Sequence, residues 1–100
     1  MQNENLIPAE ICCTHYNIDL SFIQTLEQYG FIHVVSDEQT QFIDAEELQT
    51  LEKFIRMHYE LDINMQGIEA INFLLERVQN MQDEIAYLKS KLNVYEQKIF

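Results

Sequence analysis

The sequence predicts a mainly α chain: two short helices joined by a tight turn, a small β-hairpin, a third helix, and one long C-terminal helix. Three observations carry this. Two apolar stretches of helical spacing flank the turn at Tyr16-Asn17-Ile18. A β-rich run, Phe31-Ile32-His33-Val34-Val35, is answered across the polar segment Ser36-Asp37-Glu38-Gln39-Thr40 by Gln41-Phe42-Ile43. From Met65 to Lys98 there is no proline and Gly67 is the only glycine, while apolar residues recur at alternating spacings of three and four. At 100 residues the chain has room for one domain and hardly a second. The expected division is an acidic domain over residues 1–63 and a long dimerising helix over residues 64–100.

Each element has its own warrant. Pro8 suits the first turn of a helix, where its missing N–H costs nothing, and Ala9 to His15 continue that helix. Asp19 is a good N-cap for the second helix. Leu20, Ile23, Leu26 and Tyr29 form its apolar stripe, with Phe22 beside it, and Gly30 ends it. Asp44 opens the third helix with Glu47 three residues on, close to a capping box. Leu48, Leu51, Phe54, Ile55, Met57 and Tyr59 give that helix an apolar side to about Leu61. Asp62-Ile63-Asn64 breaks the pattern, and Asn64 caps the next helix.

In the long helix Ile71, Leu74, Val78, Met81, Ile85, Leu88, Leu92, Tyr95 and Ile99 occupy the a and d positions of four heptads. Such a helix is roughly 50 Å long at 1.5 Å per residue, about twice the ~26 Å width of a 100-residue globule. It must project, and its seam needs a partner. Self-association through Ile71, Leu74, Val78, Met81, Ile85, Leu88, Leu92 and Tyr95 is the expectation, so a homodimer. Glu84 with Lys89, and Lys91 with Glu96, are complementary pairs for a parallel dimer, but two weak pairs leave the orientation open.

Charge is the sharper constraint. Six Lys and Arg stand against 17 Asp and Glu, a net charge of −11. Residues 1–52 hold ten carboxylates and no Lys or Arg. Duplex affinity comes largely from phosphate neutralisation by Lys and Arg, so nucleic acid is an improbable partner by composition. The acidic half is either a solvated surface or a docking face for a basic partner. Fifty-two residues with no interspersed cation favour the docking face.

No catalytic constellation stands out. Cys12 and Cys13 are adjacent and read as free thiols in a reducing cytoplasm; a thiolate nucleophile needs electropositive surroundings that this half lacks. His15, His33 and His58 are isolated, without metal-ligand spacing. Gly30 and Gly67 stand alone, so there is no phosphate-binding loop. The chain is read as non-catalytic, with no cofactor and no metal. No run approaches the ~18 apolar residues of a membrane span, and the amino end lacks the pattern of a signal peptide. A cytoplasmic protein is expected.

The order helix-turn-helix, small wing, third helix and long coiled-coil helix is that of MerR-like regulators. The chain resembles, more specifically, the chaperone-modulatory CbpM family, from about Leu6 to Leu92. The resemblance rests on Glu10-Ile11-Cys12 with His15, on Tyr29-Gly30-Phe31-Ile32, on Phe42-Ile43-Asp44, and above all on Arg56 through Ile68. Gln66, where proline often stands, and the more acidic first half depart from the family pattern. The resemblance implies a winged helix-turn-helix fold and a partner, the J-domain of a CbpA/DnaJ-like co-chaperone, whose basic helix normally docks on Hsp70. An inhibitor of that surface should itself be acidic, and charge matching speeds association. Candidate contacts are the carboxylates Asp19, Glu27, Asp37, Glu38, Asp44, Glu46 and Glu47, with Phe22 and Tyr29 as aromatic anchors. The alternatives are a MerR-type transcriptional regulator and a coiled-coil adaptor subunit.

Overall fold

The structure, a computed structural model, describes residues 5–99, without the side chains of Lys98 and Ile99. Residues 1–4, part of the stretch read as lacking a signal peptide, lie outside the described residues, as does the Ile99 side chain expected in the heptad seam. The chain forms two compact units, one ending at Asn64 and one beginning at Met65.

The first unit opens with a strand the sequence reading did not contain, β1 (Leu6–Pro8). Helix α1 (Ala9–Tyr16) follows directly. Asn17 ends it in the left-handed region at φ 58 and ψ 52, a conformation asparagine tolerates better than most residues. Ile18 N–H then closes the cap on the Cys13 carbonyl at 3.0 Å, and its side chain is buried. Helix α2 (Leu20–Gln28) starts from Asp19, whose backbone is extended as an N-cap requires, but the side chain makes no capping bond. That corrects the expected cap chemistry. The Asp19 N–H instead donates to the Tyr59 hydroxyl at 3.4 Å.

Gly30, at φ 78, terminates α2. Gly30 N–H donates to Glu27 O and Phe31 N–H to Leu26 O, each at 2.9 Å, the wrap-around pairing of a helix end with glycine. Those bonds explain why the β-rich run starting at Phe31 becomes a strand only at β2 (Val34–Asp37): Phe31 is committed to the cap. Its ring stacks on Phe54 at 4.9 Å. Strand β3 (Thr40–Asp44) pairs antiparallel with β2, Val34 opposite Ile43 and Asp37 opposite Thr40. The turn is therefore two residues, Glu38 and Gln39, with Glu38 at φ 57, the backbone sign that tight hairpins favour. β1 pairs with the other side of β3, so the sheet runs β1-β3-β2. The expected two-stranded wing is a three-stranded antiparallel sheet.

Asp44 then caps a 3-10 turn (Ala45–Glu47), its carboxylate accepting from Glu46 N–H at 2.9 Å. The capping box is not closed from the other side. Glu47 turns away and accepts from His33 N–H at 2.9 Å, tying the third helix to the segment before β2. Helix α3 (Leu48–Ile55) passes into a wider π-helical turn (Arg56–Glu60), inside the span read as one helix. Ile23, Leu26, Ile43 and Leu51 are fully buried and Phe54 is 1% exposed. Each contributes about 2 kcal/mol by apolar burial, and together they tie α2, β3 and α3 into one core.

Three bonds fix the end of this unit. Leu61 N–H donates to Arg56 O and Ile63 N–H to Met57 O, both at 2.9 Å, around Asp62 at φ 60. His58 Nδ1 lies 3.0 Å from Ile63 O. A carbonyl only accepts, so Nδ1 carries the proton. The second unit is one helix, α4 (Met65–Ile99), 35 residues long. Among the described residues no helix is long and apolar enough to cross a membrane. The mainly α fold with a small sheet and a long C-terminal helix agrees with the sequence expectation of a winged helix-turn-helix.

Candidate functional site

The sheet sorts the candidate carboxylates into two groups. Asp37 and Glu38 sit at the hairpin tip. Asp44, Glu46 and Glu47 sit at the opposite end of β3 and in the following turn. Four residues of strand separate them, or about 13 Å at 3.3 Å per residue. Glu38 and Glu46 are exposed, whereas the Asp44 and Glu47 side chains accept backbone N–H groups. Asp19 and Glu27 mark the two ends of α2, both exposed.

The aromatic anchors separate as well. Tyr29 is 36% exposed, with its ring 5.4 Å from Phe31. Phe22 is 6% exposed, so the expectation of a surface anchor there is corrected. It stacks on His58 at 4.9 Å and meets Tyr59 edge-on at 5.2 Å. Its position beside the α2 stripe points it at the turn that closes the unit. Sequence reasoning could not see this, because the partners lie about 36 residues away and on a π turn that carries no sequence signature.

The exposed side of α2 is Leu20, Ser21, Gln24, Glu27 and Gln28. Neither α2 nor the hairpin carries Lys or Arg. The cations of this unit, Lys53 and Arg56, belong to α3 and the π turn. Lys53 Nζ lies over the Phe54 ring, 4.9 Å from its centroid, and Lys53 and Arg56 line a groove with Gln49, Glu52, Met57 and Leu61. A second, polar cleft of about 320 Å³ lies between the start of α1, the exposed side of α2 and the hairpin, with Glu10 and Glu38 on its wall.

Cys12 is buried and Cys13 partly so, both as free thiols. Burial pushes both thiols up, and Cys13 is raised further by Asp19 and Glu10. Such thiols are poor nucleophiles at neutral pH, because the thiolate is the reactive form. Among the described residues no group of three or more His, Cys, Asp or Glu is placed to hold a metal ion. The Tyr16 hydroxyl donates to Glu52 Oε2 at 2.7 Å. Burial first, and the Glu52 acceptor second, push its ionisation up to about 12.

Along α4 the seam side chains are uncovered in the single chain. Leu74, Val78, Met81, Ile85, Leu88, Leu92 and Tyr95 are between 44% and 66% exposed, and Ile71 is half-buried. Seven exposed large apolar side chains at a and d spacing form a continuous strip, more than the scattered apolar residues of an ordinary surface.

The sequence profile described as MerR HTH family regulatory protein matches residues 7–90. No curated protein and no solved structure matches the chain. The matched span runs from β1 through the helix-turn-helix, the hairpin and α3 into most of α4, and so covers the elements just described. By that match, the chain belongs to the MerR helix-turn-helix family of regulatory proteins.

Proposed function

We propose that this MerR-family chain is a non-catalytic cytoplasmic modulator of a CbpA/DnaJ-like co-chaperone. In this reading it binds the basic J-domain through its acidic first unit and blocks stimulation of Hsp70. One observation carries the reading: α2 and the hairpin, the elements with which a helix-turn-helix domain meets DNA, hold carboxylates and no cation. Such a surface repels phosphates and attracts a basic protein. The resemblance of Arg56 through Ile68 and of the α1 and α2 motifs to the chaperone-modulatory CbpM family names the partner.

The protein works as a dimer through α4. Residues 1–64 hold twelve carboxylates against Lys53 and Arg56, a net charge of −10. A parallel pair would set the two Met65 positions about 10 Å apart. An antiparallel pair in which Ile85 meets Leu88 of the second copy holds the two Met65 positions roughly 60 Å apart along the helices, far beyond the ~8 Å screening length of physiological salt. That register also sets Glu84 opposite Lys91 of the second copy. The resemblance to MerR-like regulators, whose long helices pair antiparallel, favours this register over the Glu84–Lys89 and Lys91–Glu96 pairs of the parallel form.

The test is calorimetric titration of the purified chain with the J-domain of its host's CbpA-like protein, at ~50 and ~200 mM salt. Micromolar or tighter binding that weakens with salt, and is lost when Asp37, Glu38, Glu46 and Glu47 become Lys, is expected. No heat of binding at either salt refutes the reading. A second reading, a MerR-type transcriptional regulator, is favoured by the family match itself. It requires duplex retention at low salt, which anisotropy with labelled DNA measures directly.

A further inference from the structure

Where β1 and α1 meet the start of α3, Ile7, Ile11, Cys12, His15, Tyr16 and Leu48 line a groove of about 190 Å³. Pockets that enclose small molecules begin near ~300 Å³, so this groove suits one or two side chains of a macromolecular partner. Its apolar lining is open to solvent: Ile11 is 56% exposed, and Ile7 and Leu48 are half-buried. Carboxylates stand beside it on the α3 side. Glu52 follows Leu48 by one helical turn and holds the Tyr16 hydroxyl, and Glu46 stands exposed two residues before Leu48. No Lys or Arg lines it, whereas Lys53 and Arg56 both line the separate groove beside Met57 and Leu61.

An apolar floor with carboxylates along one side is the complement of an amphipathic helix whose polar side is basic. We infer that this groove, with Ile11 as its central contact, is the seat of a basic amphipathic helix presented by the partner protein. The inference rests on the J-domain reading for the identity of the protein that presents the helix. It places the apolar contact on α1 and α3, while the α2 and hairpin carboxylates steer from a distance.

The experiment uses the full chain with labelled isoleucine methyl groups, titrated separately with the J-domain and with a synthetic Lys/Leu amphipathic helix of about four turns. On adding the J-domain, the Ile7 and Ile11 methyl resonances shift, and Ile11→Gln weakens binding about tenfold, as loss of an interface anchor does. Glutamine is a good helix former at this exposed position, so an unchanged far-UV spectrum separates lost contact from lost fold. J-domain binding that leaves both methyls unmoved and survives Ile11→Gln overturns the groove and leaves the J-domain reading standing. If the J-domain does not bind, that reading fails on its own and the Lys/Leu helix decides. A shift confined to Ile7 and Ile11 then upholds the groove, and no shift overturns it.

Discussion

Replacing Ile85 with Asn puts an amide at the middle of the α4 seam, beside the two-fold axis of the proposed antiparallel pair. Burying an isoleucine completely is worth ~1.5–3 kcal/mol. Ile85 is 53% exposed in the single chain, so roughly 1 kcal/mol per copy is left for association to gain. Burying a partly compensated amide in its place costs about 1 kcal/mol more per copy. Over two copies the loss is roughly 4 kcal/mol, or about three powers of ten in the dimer dissociation constant. Sedimentation velocity across ~1–100 µM reads this directly. The expected result is a dimer for the wild type, a monomer for Ile85→Asn, and a dimer for Ser90→Asn, where the same amide lies outside the seam. A wild-type chain that stays monomeric at the top of that range refutes the reasoning, as does an Ile85→Asn dimer of undiminished affinity.

Other consequences follow from single bonds and packing positions. Phe54→Ala removes a ring that is 1% exposed and stacked on Phe31, and chemical denaturation should show a loss of about 3–5 kcal/mol. Glu38→Gly relieves a left-handed residue at the hairpin tip, and the same measurement should show a gain of up to about 1 kcal/mol. The Tyr16 phenol is held at about 12 in the folded chain, above its ordinary value near 10. Its contribution is therefore complete below pH ~10 and lost as pH rises through about 12, so urea melts of Tyr16→Phe should fall less steeply over that window than those of the wild type. Both thiols are raised by burial, and alkylation followed by mass spectrometry at neutral pH should be slower than for free cysteine.

Where local chemistry decides the structure, the sequence is a sufficient guide. Asn17 and Gly30 end their helices because each tolerates the left-handed region, and Asp44 caps by the bond its residue type makes readily. The heptads of α4 are legible for the same reason, since the pattern is periodic and uninterrupted. Long-range pairing is where legibility ends. β1 spans only Leu6–Pro8 and exists because β3 offers it an edge. Phe31 has a strand-forming side chain, yet its N–H is needed at the end of α2. Phe22 reads as a surface aromatic until His58 and Tyr59 fold back over it. Glu47 leaves the expected capping box for His33, 14 residues away. The carboxylates of the candidate site were all visible in the sequence, but their division between the two ends of β3 follows from the hairpin register.

In the proposed function the acidic unit occupies the J-domain surface that Hsp70 uses. The most direct measurement is the steady-state ATPase rate of Hsp70 with its J-domain co-chaperone, as this chain is added to excess. The expected result is a fall of the stimulated rate toward the basal rate, with the basal rate itself unchanged and the effect lost when Asp37, Glu38, Glu46 and Glu47 become Lys. A stimulated rate that stays constant while the chain is in excess contradicts the account.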